Sequence, residues 1–245
     1  MNLNKTNRSW ISIALLLIAV GFAYGADIRG RISHTNTDGA LLSERGRSAV
    51  VWLTPLSGQI ATSRNTPPTS PRHLTLLQKN KQFDPHVLVV EVGSVVDFPN
   101  KDPFFHNVFS LFEGKRFDLG LYETGTTRSV RFDRPGICYI FCNIHSQMSA
   151  VVIVVNTPYF AVTKKSGEFE ILGAAPGRYE LNVWAEQCLP KTLKEFSREL
   201  TIGDDTAVLG TIRLPECREA VTVHQNKYGK SYDPEVFSKP GYTQP

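Results

Sequence analysis

From residue 26 onward, apolar and polar side chains alternate with a period of two, in short runs rather than long stripes. The runs at 50–53 (VVWL), 87–92 (VLVVEV), 95–98 (VVDF), 137–141 (ICYIF), 151–155 (VVIVV), 169–172 (FEIL) and 179–184 (YELNVW) are rich in β-branched and aromatic residues. Gly, Pro and Asn punctuate them at intervals that suit a sandwich or barrel. Residues 190–199 alone have the look of a helix, and a short one. Residues 62–72 (TSRNTPPTSPR) are polar and Pro-rich and read as a linker or long loop. Residues 218–245 are polar, carry Pro and Tyr without an apolar period, and predict a flexible tail. The pattern predicts an all-β protein.

The first 25 residues read as an address rather than as fold. Lys5 and Arg8 give a positive head, and 11–20 (ISIALLLIAV) is an apolar run of ten residues. Ala23 and Gly25 then stand at −3 and −1 of a cleavage before Ala26. A bilayer-spanning helix needs roughly 20 apolar residues, so a cleaved signal peptide is expected and an uncleaved anchor is the alternative. No membrane span is expected in the mature chain. Its location is then periplasmic or secreted, where disulfides are permitted.

Composition narrows the function classes. The formal charge of +4 falls to nearer +2 without Lys5 and Arg8, which gives no reason to invoke nucleic acid or an anionic membrane. Four cysteines in 245 residues are too few for a disulfide scaffold. No Ser-His-Asp set, paired acidic motif or glycine-rich phosphate loop stands out, so the chain is not expected to be an enzyme.

The chemistry concentrates in two segments. After the run ending at Phe98 comes PNKDPFFHNVFS, with His106 in turn-rich surroundings. Some thirty residues later a strand pattern runs into Cys142-x-x-His145-x-x-Met148, and another leaves it. One thiolate, two imidazoles and one thioether form the ligand set of a mononuclear type 1 copper centre, with a trigonal His₂Cys plane and a weak axial Met. Such a set suits Cu(I), which favours soft sulfur, and Cu(II), which favours imidazole. A tetrahedral zinc site would call for a further Cys or His in place of Met148. The bland alternative is a buried Cys and Met in a core with His145 on the surface.

Residues 73–155 resemble a cupredoxin. The resemblance is carried by FDPHVLVVEVGSVVDF (83–98), PNKDPFFHNV (99–108) and FCNIHSQM (141–148). TPYFAV (157–162) and GRYELNVW (177–184) are similar to exported bacterial plastocyanin-like cupredoxins of the "methylamine utilization protein" type. The resemblance implies a Greek-key sandwich holding one copper ion, with His106, Cys142, His145 and Met148 at the four copper positions. It also implies that Asn107 tethers the His-bearing loop to the Cys-bearing loop, and that unidentified redox proteins are the partners.

Cys138 makes Cys-x-x-x-Cys with Cys142, which is similar to the binuclear copper centre of oxidases. In a continuous strand the two lie about 13 Å apart, so a buried core residue is favoured for Cys138. Cys188 and Cys217 either pair or stay free, since spacing alone does not decide. His34, His73, His86 and His224 lack ligand-like neighbours.

The flanks resemble a carboxypeptidase-regulatory-like, or transthyretin-like, sandwich: 26–56 carries its opening rhythm and 163–184 (TKKSGEFEILGAAPGRYELNVW) its continuation. Gly167 and Gly177 would supply turns; Phe169, Ile171, Tyr179, Leu181 and Val183 would face inward. The expected organisation is a signal peptide (1–25), N-terminal strands (26–62), a cupredoxin domain (73–156), a second small β-sandwich (157–217) and the tail (218–245). The N-terminal strands belong either to that second sandwich, with the cupredoxin inserted, or to the cupredoxin itself. The function expected is a single-electron carrier with one type 1 copper. Copper delivery, or a non-redox binding module on the same fold, are the alternatives.

Overall fold

The computed structural model describes residues 25–35, 48–56, 71–111, 114–186, 188, 190–217 and 225–232. The expected signal peptide, apart from Gly25, the 62–70 part of the expected linker and the tail segments 218–224 and 233–245 lie outside the described residues. Among the described residues no helix is long and apolar enough to cross a membrane.

The alternating runs form strands. In chain order these are β1 (Ala26–Thr35), β2 (Ala49–Pro55), β3 (His73–Thr75), β4 (Leu77–Lys79), β5 (Gln82–Asp84) and β6 (Val87–Glu91). Then follow β7 (Val95–Pro99), β8 (His106–Ser110), β9 (Phe117–Tyr122), β10 (Thr127–Arg131), β11 (Gly136–Phe141) and β12 (Ser149–Val155). The last are β13 (Phe160–Val162), β14 (Glu168–Ala174), β15 (Gly177–Ala185), helix α1 (Pro190–Lys194), β16 (Arg198–Ile202) and β17 (Ala207–Pro215). The chain is all-β. The helix expected over 190–199 stops at Lys194: three i→i+3 turns to Thr192, Leu193 and Lys194 follow, and Arg198 already pairs with Leu181. Strand pairing wins over a helix too short to be stable alone.

Two sheets make the sandwich that carries the candidate site. One has the order β6-β12-β11-β8-β9 and the other β10-β7-β3. Leu76, Phe83, Val96, Phe98, Val108, Phe132, Cys138, Ile140, Val152 and Val154 are buried between and around them. The near-continuous apolar run of β12 has a simple cause. Val152 and Val154 point into this core, while Val151, Ile153 and Val155 are buried on the opposite face with Val87 and Val89 of β6. A strand covered on both faces has no polar side to show.

That opposite face packs on a second sandwich, of sheets β14-β1-β17 and β13-β2-β15-β16. Among the described residues β1 pairs only with β14 and β17, and β2 only with β13 and β15. The N-terminal strands thus hydrogen-bond with residues 159–215, and 73–155 lies between their halves in sequence. Phe169, Ile171, Tyr179, Leu181 and Val183 all face its core, and Gly167, at φ +80°, takes the left-handed turn into β14. Cys188 and Cys217 are joined by a disulfide, with Cα atoms 4.8 Å apart. His86, which lacks ligand-like neighbours in sequence, spans the two sandwiches: its ring bonds Ser149 O at 3.1 Å and Glu186 Oε1 at 2.6 Å.

Candidate metal centre

The cysteine-bearing loop is local in origin. Strand β11 ends at Phe141 and delivers Cys142 to the end of the sheet. The chain then closes on itself: Cys142 N–H donates to Met148 O at 3.1 Å and Met148 N–H to His145 O at 3.0 Å. Seven residues therefore form a compact turn before β12 departs. His106 comes from far along the chain but is adjacent in space, because β8 neighbours β11 with Phe109 opposite Phe141.

These elements bring His106, Cys142 and His145 together. Cys142 Sγ lies 3.7 Å from His106 Nδ1 and 3.5 Å from His145 Nδ1, and the three ligand atoms are all within 4.8 Å of one another. Ligands at first-row M–S and M–N bond lengths around one ion stand roughly 3.6–3.8 Å apart, so the observed spacing fits a single metal. Met148 is fully buried in the same cluster as Cys142 and is tied to it by the loop hydrogen bond. One thiolate with two imidazoles is a donor set that fits copper.

The electrostatics favour neutral imidazoles beside a buried sulfur. Burial pushes the Cys142 thiol up, while the backbone N–H groups of Asn107, Ile144 and His145 act on its sulfur in the other direction. Burial, then the neighbouring His106 and Lys81, lowers His145 to about 4. His106 is also lowered by burial, against the opposing bond from Asp102. His106 Nε2 lies 2.8 Å from Asp102 Oδ2; an ionised carboxylate only accepts, so the ring proton sits on Nε2 and the Nδ1 lone pair faces Cys142. Phe104 leans on both imidazoles, with ring centroids 5.2 Å from His106 and 5.6 Å from His145. His106 and Cys142 are wholly buried, whereas His145 is half-buried and gives the centre its solvent-facing edge.

Asn107 links the two segments through its backbone N–H to Cys142, and its side-chain Nδ2 donates to Asp118 Oδ1 at 2.7 Å. Asp118, one strand away, also accepts from Gly120 N–H at 2.9 Å on the same oxygen, and an ionised carboxylate is a stronger acceptor than a backbone carbonyl. Residues 225–232, inside the expected flexible tail, pack across the site. Lys227 N–H donates to Asn143 Oδ1 at 2.9 Å, Lys227 Nζ to Asp118 Oδ2 at 2.7 Å, and Tyr232 Oη to Cys142 O at 2.9 Å. No periodicity signals such a segment, because its contacts are single polar bonds. Asp102 was equally silent in sequence, apart from standing four residues before His106. Cys138 stays within β11 as a buried free thiol, raised by burial to about 11, and is not part of the His106–Cys142–His145 group.

No family model matches the chain, and no curated protein matches it. Among solved structures it is similar to a purple cupredoxin from Nitrosopumilus maritimus at 23% identity and TM-score 0.31, over 34% of this chain and 99% of that one. A copper-containing nitrite reductase from Thermus scotoductus SA-01 matches at 23% identity and TM-score 0.33, over 39% of this chain but only 25% of its own. A reduced amicyanin variant matches at 19% identity and TM-score 0.33, over 36% and 87%.

Proposed function

We propose that this chain is an exported copper protein of the cupredoxin kind that carries single electrons between redox proteins. One observation carries the reading: the Cys142 thiol lies 3.7 and 3.5 Å from imidazole nitrogens of residues 36 and 3 positions away, and all three atoms are within 4.8 Å of one another. In this reading His106, Cys142, His145 and Met148 would hold the ion. When bound, copper supplies a one-electron couple between Cu(II) and Cu(I).

The chain's own residues keep that couple cheap to use. Three backbone N–H groups hold the sulfur, Asp102 holds His106, and the closed 142–148 turn sits between two paired strands. Ligands fixed this way need little movement between oxidation states. The half-buried His145, packed against Phe104, would give a partner protein a short path to the centre. The Cys188–Cys217 bridge supports a periplasmic or secreted location. The outer sandwich, which resembles regulatory-like modules, serves interaction or anchoring rather than catalysis.

The test is mutational. The copper-loaded protein is expected to show an intense band near about 600 nm, the region of Cu(II)–thiolate charge transfer, that bleaches reversibly on reduction. Cys142→Ser abolishes it, whereas Met148→Gln keeps it and changes the potential. A Cys142→Ser protein that stays blue overturns the assignment, and tight Cu(I) uptake with a colourless Cu(II) form points to copper handling instead.

A further inference from the structure

Asp102 is among the most committed side chains in the molecule. It is 3% exposed, and its carboxylate accepts from Asn80 N–H at 2.6 Å, Lys81 N–H at 2.9 Å and His106 Nε2 at 2.8 Å. Its own N–H donates to Oδ1 of the fully buried Asn100 at 3.0 Å. Asn100 in turn donates through Nδ2 to Phe104 O at 2.8 Å and Tyr122 O at 3.3 Å. The two N–H groups come from the β4–β5 turn, where Asn80 and Lys81 both take φ +55°, a left-handed pair that suits a two-residue hairpin. A carboxylate that merely capped this turn would have no need of His106.

We propose that Asp102 is a positioning residue of the metal centre, which fixes His106 with its proton on Nε2 and biases the bound copper toward Cu(II). The inference rests on the reading of His106 as a copper ligand. Its physics is a carboxylate–histidine–metal relay, in which the outer acceptor sets ring orientation and raises the basicity of the inner nitrogen. Charge adds to it. Cu(II), the Cys142 thiolate and the Asp102 carboxylate sum to zero, whereas Cu(I) leaves one negative charge uncompensated in a buried place, which is unfavourable. Lys81, whose Nζ lies 5.4 Å from the Phe104 ring centroid, offsets only part of this from the surface.

Two measurements test the proposal. In the metal-free wild-type protein, ¹⁵N–¹H correlation of the imidazoles is expected to show His106 as the Nε2–H tautomer; an Nδ1–H tautomer overturns the proposal. In the copper-loaded protein, Asp102→Asn keeps the size and an acceptor but removes the charge. The ratio of Cu(II) to Cu(I) affinity is expected to fall at least about tenfold, a rise in potential of about 59 mV for a one-electron couple. A folded Asp102→Asn protein with an unchanged or lower potential refutes it, and if that variant fails to fold, the wild-type tautomer alone decides. Absence of a thiolate–copper band in the wild type would instead sink the copper reading, a result separate from the tautomer.

Discussion

Replacing Cys188 and Cys217 together by alanine removes the only covalent link across the outer sandwich among the described residues. The bridge joins the chain just beyond β15 to the chain just beyond β17, and α1, β16 and β17 all lie in the loop it closes. With a sequence separation of 29, chain-entropy reasoning assigns the cross-link about 3.5 kcal/mol at 25 °C. Little is lost besides, since Cys188 is small and Cys217 is only partly buried. For a urea m-value of roughly 2–3 kcal/mol/M, the midpoint should fall by roughly 1–2 M. Equilibrium unfolding followed by tryptophan fluorescence reads this, because Trp184 lies at the centre of the affected core. The metal-site spectrum should not change, as Cys138 and Cys142 remain the free thiols. A midpoint that moves by less than about 0.3 M would show that the cross-link does not restrain the unfolded chain as loop closure requires.

Other outcomes follow from particular contacts. Ile153→Ala, at a position 1% exposed between the two sandwiches, should cost about 2–5 kcal/mol in chemical denaturation; a cost under about 1 kcal/mol would mean that the sheet face is not a packed junction. Hydrogen bonding to Glu186 raises the His86 pKa above its ordinary 6.5. The stability that pair gives is therefore complete below pH 6.5 and is lost as pH rises through the raised value, so melting temperature against pH should fall there, and His86→Gln should flatten the profile. Tyr232→Phe removes the hydroxyl bonded to Cys142 O and should cost about 1 kcal/mol. Truncation before residue 225 should hasten release of bound metal to a chelator, and an unchanged release rate would show that this segment does not hold the loop.

The sandwich and the grouping of His106, Cys142 and His145 were legible in the sequence for different reasons. β-Strands buried on one or both faces leave a direct record, as in VVIVV at 151–155, because side-chain period and burial are coupled. The Cys142–Met148 turn is local, so its spacing shows, and His106 is found because it stands in a turn-rich segment that resembles the cupredoxin His-bearing loop. The sequence could not show what depends on single polar bonds. Asp102 reaching His106, Asn107 turning to Asp118, and Lys227 and Tyr232 seating on the loop leave no periodic trace. The Cys188–Cys217 pairing and the split of β1 and β2 from the following sandwich are likewise matters of which distant strands meet. Helix 190–199 was overread, because Arg198 finds a strand partner in Leu181.

The most direct test of the central claim is metal content of the purified protein, measured with its electron paramagnetic resonance spectrum. One copper ion per chain is expected, with the narrow copper hyperfine splitting that strong thiolate bonding produces in the oxidised state, and no signal after reduction. A protein that binds no copper, or binds it with the wide splitting of a site made of nitrogen and oxygen alone, contradicts the account.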